Sequence, residues 1–320
     1  MNKKYKYIFG PVLSRRLGHS LGIDTVPFKT CSMDCIYCES GKTTVLTMDR
    51  DEFFPPEDIM DELRDFLLTS PVLDYVTFSG AGEPLLYSGI GEIIKFLKTD
   101  FPQYKIALLT NSMLLTIPQA FNDVLPVDLI VPSLDAALDS VFQKINRPFH
   151  FYEGCEKIIE ALKSFKEKSN ADFFLEILMI AGVNDSEQNI SALCNAVDYI
   201  GPDKIQLNTL DRPGTENNIT PLSYQQLLTI ADKLKKCGVP IDIAARKHPA
   251  VPLVDTNHVT TENIENTVLA LIKRRPSTVN DISHTLDISE INVEKIIGTL
   301  LKRGKITAEL RENLKFYKKK

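Results

Sequence analysis

Three cysteines crowd into one short segment of the chain. Cys31, Cys35 and Cys38 form a C-x3-C-x2-C motif within the sequence Lys-Thr-Cys-Ser-Met-Asp-Cys-Ile-Tyr-Cys. Thiolates are soft ligands, and three of them on one tight loop can each bind a different iron of an iron–sulfur cube. The fourth iron then has no protein ligand, and its open coordination sites can chelate a small molecule. The spacing therefore favours an iron–sulfur site capable of catalysis.

Two other interpretations fit the same spacing. Positions i, i+4 and i+7 share one face of a helix, where cysteine behaves as a small buried hydrophobe. Alternatively, the thiolates could hold zinc, with His19 or Cys155 as the fourth ligand. Pro27 and the turn-like residues 30–34 disfavour a helix, and zinc sites more often consist of two cysteine pairs. The spacing favours the cluster but leaves both alternatives open.

Short β-branched and apolar runs alternate with longer stretches of helical period, such as residues 56–68 and 152–168. This alternation is typical of repeated βα units with a parallel sheet. Six such units favour a closed or partly closed barrel, or a doubly wound open sheet. The cysteine motif follows the first predicted strand. The predicted strands are residues 21–25, 75–79, 105–110, 128–133, 173–180 and 204–210, with a seventh candidate at 239–245.

The pattern changes after about residue 248. Residues 249–256 contain two prolines and no helical period, so we expect a linker between residues 1–248 and residues 257–320. The last part carries 12 Lys and Arg against 8 Asp and Glu, a net charge of +4, which leaves −9 for the rest of a chain whose total is −5. The pattern of residues 257–320 predicts a winged helix-turn-helix. Its predicted elements are helices at 261–273, 278–286 and 290–303 and a hairpin at 305–317.

Composition bounds the function classes. The 320 residues are 43% hydrophobic and 25% charged, enough for a sizeable core. The net charge of −5 argues against nonspecific coating of nucleic acid by the chain as a whole. Six cysteines are too few for a disulfide scaffold in a chain of this length. No apolar run approaches the ~20 residues of a membrane span. We therefore expect a cytoplasmic protein with no membrane partner.

At this point the sequence resembles a known family. The cysteine motif, with Tyr37 just before its last cysteine and a βα chain around it, is similar to the radical S-adenosylmethionine (SAM) superfamily over about residues 20–210. The opening residues 9–22 resemble a branch described as iron–sulfur oxidoreductases. The resemblance implies an α/β fold, a partial (β/α)6 TIM-like barrel, followed here by the winged-helix-like region. It also implies a [4Fe-4S] cluster on the three cysteines, with SAM chelating the open iron.

The ends of the predicted strands carry further matches. Residues 77–84, Thr-Phe-Ser-Gly-Ala-Gly-Glu-Pro, are similar to the family's Gly-Gly-Glu segment, although Ala81 interrupts the glycine pair. Glycines let a backbone approach a ligand closely and a carboxylate suits an ammonium group, whereas strand-ending turns and helix caps are the structural alternatives. The resemblance implies SAM contacts from Tyr37, Ser79, Gly80, Gly82, Glu83, Asn111, Ser133, Asp135 and Asn208.

Several cations could grip an anionic substrate. Arg15, Arg16 and His19 precede the cysteine motif, Arg147 lies in mid-chain, and Arg212 is expected at the mouth of the barrel. The alternative is that these side chains form ion pairs with carboxylates and stabilise solvent-exposed turns.

The resemblance implies an enzyme in which a reduced cluster cleaves SAM to methionine and a 5′-deoxyadenosyl radical. Its electron donor would be of the flavodoxin or ferredoxin type. Lys295, Lys302, Arg303 and residues 318–320 could contact a phosphate backbone. The first hypothesis is therefore modification of RNA or DNA, such as a tRNA base. The second is the same chemistry on a peptide, protein or small metabolite docked by residues 257–320. The third is an iron–sulfur redox sensor that binds DNA without turnover.

Overall fold

An eight-stranded sheet organises most of the computed structural model, which describes residues 5–14, 16–150, 152–243, 261–286, 288–311 and 314–320. In this sheet the strands follow the order β1-β2-β5-β6-β7-β8-β9-β10, and every neighbouring pair is parallel except the antiparallel pair of β1 and β2. The strands are β1 (Ile8–Ser14), β2 (Gly18–Asp24), β3 (Thr30–Cys31), β4 (Val45–Leu46), β5 (Tyr75–Ser79), β6 (Lys105–Thr110), β7 (Leu129–Pro132), β8 (Asp172–Met179), β9 (Lys204–Thr209), β10 (Ile241–Ile243), β11 (Ile306–Arg311) and β12 (Leu314–Lys319).

Helices connect the parallel strands, as the alternation of βα units predicts. Proline at the first helical position starts α1 and α3, where its missing N–H costs no hydrogen bond. The helices are α1 (Pro56–Leu67), α2 (Ile90–Asp100), α3 (Pro118–Val124), α4 (Asp139–Asn146), α5 (Cys155–Lys168), α6 (Glu187–Ile200), α7 (Tyr224–Leu234), α8 (Thr261–Arg274), α9 (Val279–Leu286) and α10 (Glu290–Lys302).

The mixed α/β fold with a parallel sheet is confirmed, and the six predicted parallel strands correspond to β2 and β5–β9. The seventh candidate is β10, of which residues 244 and 245 lie outside the described residues. Three strands were not predicted, namely the two-residue β3 and β4 and the longer β1. β1 contains Gly10 and Pro11, which weaken a strand pattern but are tolerated where the strand has one neighbour. The cysteine motif therefore follows the second strand in chain order, not the first.

The two faces of the sheet carry different cores because successive side chains of a strand point to opposite sides. Ile106 and Leu108 of β6 join the large core that the helices cover. Ala107, between them, joins a small cluster with Leu129 and Val131 of β7. Leu17, from the turn between β1 and β2, packs into this second cluster. The first hairpin therefore folds across the face of the sheet that the large helical core does not use.

The C-terminal region, residues 261–320, has a core of its own. Val268, Ile282, Val293 and Leu300 from its three helices are fully buried together with Ile306 of β11 and neighbouring side chains. β11 and β12 form a two-stranded antiparallel sheet. The linker expected at residues 249–256 lies outside the described residues. Within the described part of the chain, no helix is long and apolar enough to cross a membrane.

Candidate active site

The cysteine loop, residues 25–41, leaves β2 at its carboxyl end and lies against the turn that follows β5. The backbone N–H of Lys29 donates to the carbonyl of Ala81 at 3.2 Å, and the N–H of Glu83 donates to the carbonyl of Thr30 at 3.1 Å. Lys29 adopts a left-handed backbone conformation, with φ of 61°. These bonds fix the cysteine loop at the sheet edge where the parallel strands end.

Each cysteine sulfur of this loop has its own N–H donor. Asn111 Nδ2 lies 3.5 Å from Cys31 Sγ, and Lys29 Nζ lies 3.0 Å from Cys38 Sγ. The donor to Cys35 Sγ is Nδ2 of Asn146, the last residue of α4, also at 3.5 Å. Hydrogen bonds to a coordinating thiolate stabilise its negative charge. The three donors come from three separate segments, so the sulfur environment is assembled by the fold.

Burial disfavours the thiolate form in the metal-free loop. It raises the pKa of Cys31 to about 12 and raises the pKa of Cys35 well above its ordinary value, and the neighbouring Glu83 and cysteine thiols add to these shifts. A buried thiol with a raised pKa becomes a thiolate readily only when a cation compensates its charge.

The zinc and helix interpretations do not match this geometry. His19 lies near the start of β2, five residues before its end, whereas the cysteine loop begins beyond the other end. Among the described residues, no three His, Cys, Asp or Glu side chains are grouped so that they could hold one metal ion. The loop is irregular over residues 31–38, so its cysteines do not lie on one face of a helix. A cube needs one thiolate per iron, so its ligands need not converge on one point.

Glu83 is buried at the end of β5, only 2% exposed. Its carboxylate accepts hydrogen bonds from Leu85 N at 3.1 Å, Thr110 Oγ1 at 2.7 Å and Asn111 N at 2.8 Å. Burial nevertheless raises its pKa to about 7. The carboxylate therefore ties the turn after β5 to the end of β6, in addition to any role toward a ligand.

The glycines beside Glu83 are required by the chain itself. A Cβ on Gly82 would lie 2.1 Å from the carbonyl oxygen of Thr30, and a Cβ on Gly80, whose φ is +137°, would lie 2.3 Å from Asp24 Oδ1. The sequence predicts that these glycines let the backbone approach a ligand. In the structure, Gly82 lies close to the cysteine loop and Gly80 lies close to the end of β2. Ser79 ends β5 directly before this turn and is partly exposed.

A second buried carboxylate lies beyond the end of β7. Asp135 accepts hydrogen bonds from Tyr37 Oη at 2.5 Å, Asn146 Nδ2 at 2.8 Å and the N–H of Leu178 at 2.9 Å. Burial raises its pKa to about 6, although these three donors lower it. The helix-cap alternative is not observed here, because Asp135 joins the cysteine loop to α4 and β8. Asn111 bonds to Ser32 and Cys31 in the cysteine loop, and its Oδ1 also accepts from the N–H of Met113 at 3.1 Å.

Glu176, in the middle of β8, contacts three other polar side chains. Its carboxylate accepts from Asn208 Nδ2 at 2.5 Å and lies 3.5 Å from Ser133 Oγ. Arg16 reaches it from the turn between β1 and β2 and forms an ion pair with it. All four side chains remain partly exposed. Arg16 is therefore an internal partner of Glu176 rather than a surface cation.

Two of the other candidate cations are also engaged in ion pairs, Arg147 and Arg212. Arg147 forms an ion pair with Glu216 at 2.7 Å. Arg212 is 6% exposed and pairs with Glu39 at 3.2 Å. Arg15 lies outside the described residues.

The model of one protein family, the radical SAM superfamily, matches residues 25–194, more than half of the chain and all of the cysteine loop. The chain belongs to the radical SAM superfamily. It is 32% identical over 314 residues to a protein named GTPase Obg from Brachyspira hyodysenteriae, in an alignment that covers 96% of this chain and 44% of that protein. The chain thus spans less than half the length of that relative.

Two further relatives are similar to this chain over different shares of its length. It is 31% identical over 315 residues to UPF0026 protein MJ1312 of Methanocaldococcus jannaschii, covering 97% of this chain and 95% of the relative. A more distant relative is the ribosomal RNA large subunit methyltransferase Cfr of Lachnoclostridium phytofermentans, 24% identical over 216 residues, with 62% of this chain and 60% of that protein covered.

The fold also matches a solved structure, a radical SAM methyltransferase from Sphaerobacter thermophilus. The TM-score is 0.55 at 17% identity, over 72% of this chain and 67% of that one. A likeness at this identity concerns the fold alone.

Membership of the radical SAM superfamily implies SAM and an iron–sulfur cluster as cofactors, and the residues present fit both. Three soft sulfur ligands, each with an N–H donor, suit a cluster whose charge is spread over iron and sulfur. The edge around them carries carboxylates, amides and hydroxyls, which suit the ammonium, carboxylate and ribose groups of SAM.

Three residues of this radical SAM site were missed from the sequence. Lys29 and Asn146 donate to cysteine sulfurs, and Glu176 joins Arg16, Asn208 and Ser133. Asn146 lies 111 residues from Cys35 in the chain, so no local pattern points to it. Glu176 did carry a signal, because it is a charged residue among the otherwise apolar residues 173–179 of β8.

Proposed function

We propose that this chain is a radical SAM enzyme in which Cys31, Cys35 and Cys38 hold a [4Fe-4S] cluster and SAM occupies the fourth iron. The observation that carries the proposal is the separate N–H donor on each cysteine sulfur, at the sheet edge where the parallel strands end. When bound, the cluster supplies the electron that cleaves SAM to methionine and a 5′-deoxyadenosyl radical.

The chain's own side chains then position the reactants. We assign the sheet to a partial (β/α)6 barrel, whose active site lies where the strands end. The residues that we assign to SAM binding lie at or near this edge of the sheet: Tyr37, Ser79, Gly80, Gly82, Glu83, Asn111, Ser133, Asp135 and Asn208. Leu17 packs into the small apolar cluster of β6 and β7, and the neighbouring Arg16 pairs with Glu176 of β8.

The proposed substrate is an RNA. The relative Cfr is named as a ribosomal RNA methyltransferase, and it matches 62% of this chain. The C-terminal region, which we assign to a winged helix, carries exposed Lys295, Lys302, Lys319 and Lys320. Such cations contact phosphates and make binding dependent on salt. Arg303 is partly engaged, because it pairs with Glu265 at 2.6 Å.

Electrons would come from a reduced protein of the flavodoxin or ferredoxin type. Anaerobic reconstitution with iron and sulfide, followed by dithionite and SAM, tests the chemistry without that partner. We expect a brown chromophore, a change in the electron paramagnetic resonance signal when SAM is added, and release of 5′-deoxyadenosine.

Other outcomes separate the alternatives. A stable cluster that neither responds to SAM nor cleaves it would favour the redox sensor. Cleavage of SAM without salt-dependent binding of total cellular RNA would favour a peptide, protein or metabolite substrate. Binding of zinc in place of a cluster would contradict the proposal.

A further inference from the structure

A short segment after β9 covers the cysteine loop. We call residues 211–216 the bridging segment. The N–H of Glu216 donates to the carbonyl of Ile36 at 3.0 Å, and Thr215 Oγ1 donates to the carbonyl of Cys38 at 3.3 Å. The bridging segment is thus hydrogen-bonded to the backbone of the cysteine loop at Ile36 and at Cys38.

The backbones of the two segments are also in direct contact. A Cβ on Gly214 would lie 2.8 Å from the carbonyl carbon and oxygen of Tyr37, so only glycine fits at this position. Any displacement of the bridging segment must therefore move the loop or open a gap above it.

Arg212 anchors the bridging segment through charge. Its guanidinium lies 3.2 Å from Glu39, 3.8 Å from Asp211 and 3.5 Å from Asp281. Glu39 directly follows Cys38, the last cysteine of the motif, whereas Asp281 lies on α9 of the C-terminal region. A buried cation needs such partners, and the three carboxylates need the cation, because they would otherwise repel one another.

Arg311 holds the same segment from the C-terminal region. It lies at the end of β11, and its guanidinium donates to the carbonyl of Arg212 at 3.3 Å and to the carbonyl of Ile219 at 3.0 Å. A fork of two N–H groups on two backbone carbonyls fixes direction as well as distance. The C-terminal region thus contacts the bridging segment in two ways, through the ion pair of Asp281 with Arg212 and through hydrogen bonds from Arg311 to the backbone.

We propose that Arg311 and Arg212 are positioning residues through which the C-terminal region holds the cysteine loop in its ligating geometry. The inference rests on the proposed function only in taking this loop as the cluster site. It adds a role for the C-terminal region that is separate from substrate binding. Displacement of that region would release the bridging segment and, with it, the backbone around Cys38.

The test is hydrogen–deuterium exchange on the full-length, metal-free protein, with Arg311→Gln as the variant. We expect amide exchange in peptides covering residues 36–41 and 214–219 to become about tenfold faster, since a lost charge-assisted contact lowers the cost of local opening. Arg311→Lys can reach one carbonyl but not both, so it should give an intermediate rate. Asp281→Asn removes the ionic contact and should act in the same direction.

Arg303→Gln is the matched control, because it breaks an exposed ion pair with Glu265 inside the C-terminal region. It should leave exchange in the loop unchanged. Unchanged loop exchange in both Arg311→Gln and Asp281→Asn, with the α10 amides still protected, would overturn the proposal. This readout needs neither cluster nor SAM, so it separates failure of this inference from failure of the proposed function.

A second readout uses the reconstituted protein. In Arg311→Gln the reduced cluster should give a broadened electron paramagnetic resonance signal, because a loosened loop samples more than one ligand geometry. Arg311→Lys should partly restore the narrow signal. A signal identical to that of the unchanged protein in Arg311→Gln would contradict the positioning role.

Discussion

The three cysteine sulfurs differ in the donor that each receives. Cys31 and Cys35 accept from neutral amides, whereas Cys38 accepts from the ammonium group of Lys29 at 3.0 Å. A charged donor stabilises a thiolate more strongly than a neutral one. The electrostatic environment of the loop is therefore unequal, with the positive charge on the side of Cys38.

Replacing a cysteine ligand should remove the cluster. In Cys35→Ala we expect loss of the brown absorbance, of bound iron and sulfide, and of SAM cleavage, while the C-terminal region stays folded. Cys194→Ala, on α6 outside the loop, is the control and should keep all three. Iron and sulfide content per chain is the measurement. Full cluster absorbance in Cys35→Ala would show that this residue is not a ligand.

Lys29→Met should make the cluster harder to reduce. Removing a positive charge and a hydrogen bond from the Cys38 sulfur disfavours the added electron, so the midpoint potential should fall by on the order of 60 mV, a tenfold change in a one-electron equilibrium. A redox titration followed by electron paramagnetic resonance measures it. Lys42→Met, at an exposed position directly after the cysteine loop, should change the midpoint potential little. Equal potentials in both variants would refute the role of Lys29.

Among the elements, the turn after β5 depends on a backbone without a side chain. In Gly82→Ala the new methyl group would meet the carbonyl oxygen of Thr30 at 2.1 Å, so the cysteine loop must move. We expect iron content per chain to drop severalfold. Gly298→Ala is the matched control, because it lies in α10 with open space around it and should stabilise the helix by about 0.5–1 kcal/mol. Equal iron content in the two variants would contradict this account.

The parallel strands could be predicted because each is a run of apolar and β-branched residues with a clear end. The cysteine spacing and the Gly-Glu-Pro turn were local signals as well. β1 escaped because a glycine and a proline interrupt its pattern, although pairing with β2 overrides that weakness. The contact of Asn146 with Cys35 and that of Arg212 with Glu39 were not predicted, because the partners lie 111 and 173 residues apart in the chain. Long-range polar contacts leave no periodic trace in a sequence.

For the whole molecule, two buried carboxyls should make the stability of the metal-free protein depend on pH. Burial raises the pKa of Glu83 to about 7 and that of Asp135 to about 6, so the folded state binds protons that the unfolded chain releases near pH 4. This contribution to stability is present at low pH and is lost as pH rises through the folded-state pKa values.

We expect the free energy of unfolding to fall by on the order of 3 kcal/mol between pH 5 and pH 8. Urea unfolding at the two pH values measures it. Asp135→Asn should reduce the difference, whereas Glu187→Gln, an exposed carboxylate on α6, should not. Stability that stays level or rises with pH would contradict the assignment.

RNA binding by the C-terminal region is a separate prediction for the whole molecule. Charge reversal in Lys302→Glu should weaken binding of total cellular RNA and reduce the salt dependence of the binding constant by about one phosphate contact. Lys95→Glu makes the same change of net charge at an exposed position on α2 and should leave binding unaltered. Titrations at several salt concentrations provide the measurement. Equal losses in both variants would reflect net charge alone.

The distance along the chain between the cysteine loop and its cover has a consequence for biosynthesis. Thr215 follows Cys38 by 177 residues, and at about 5–20 residues per second a ribosome needs on the order of 10–35 s to make that stretch. During this time the cysteines stand outside the ribosome without the bridging segment or the C-terminal region above them. A cluster inserted before residue 216 is made would therefore lie on a loop that lacks this cover, and a chain interrupted before residue 211 would leave the three thiols uncovered.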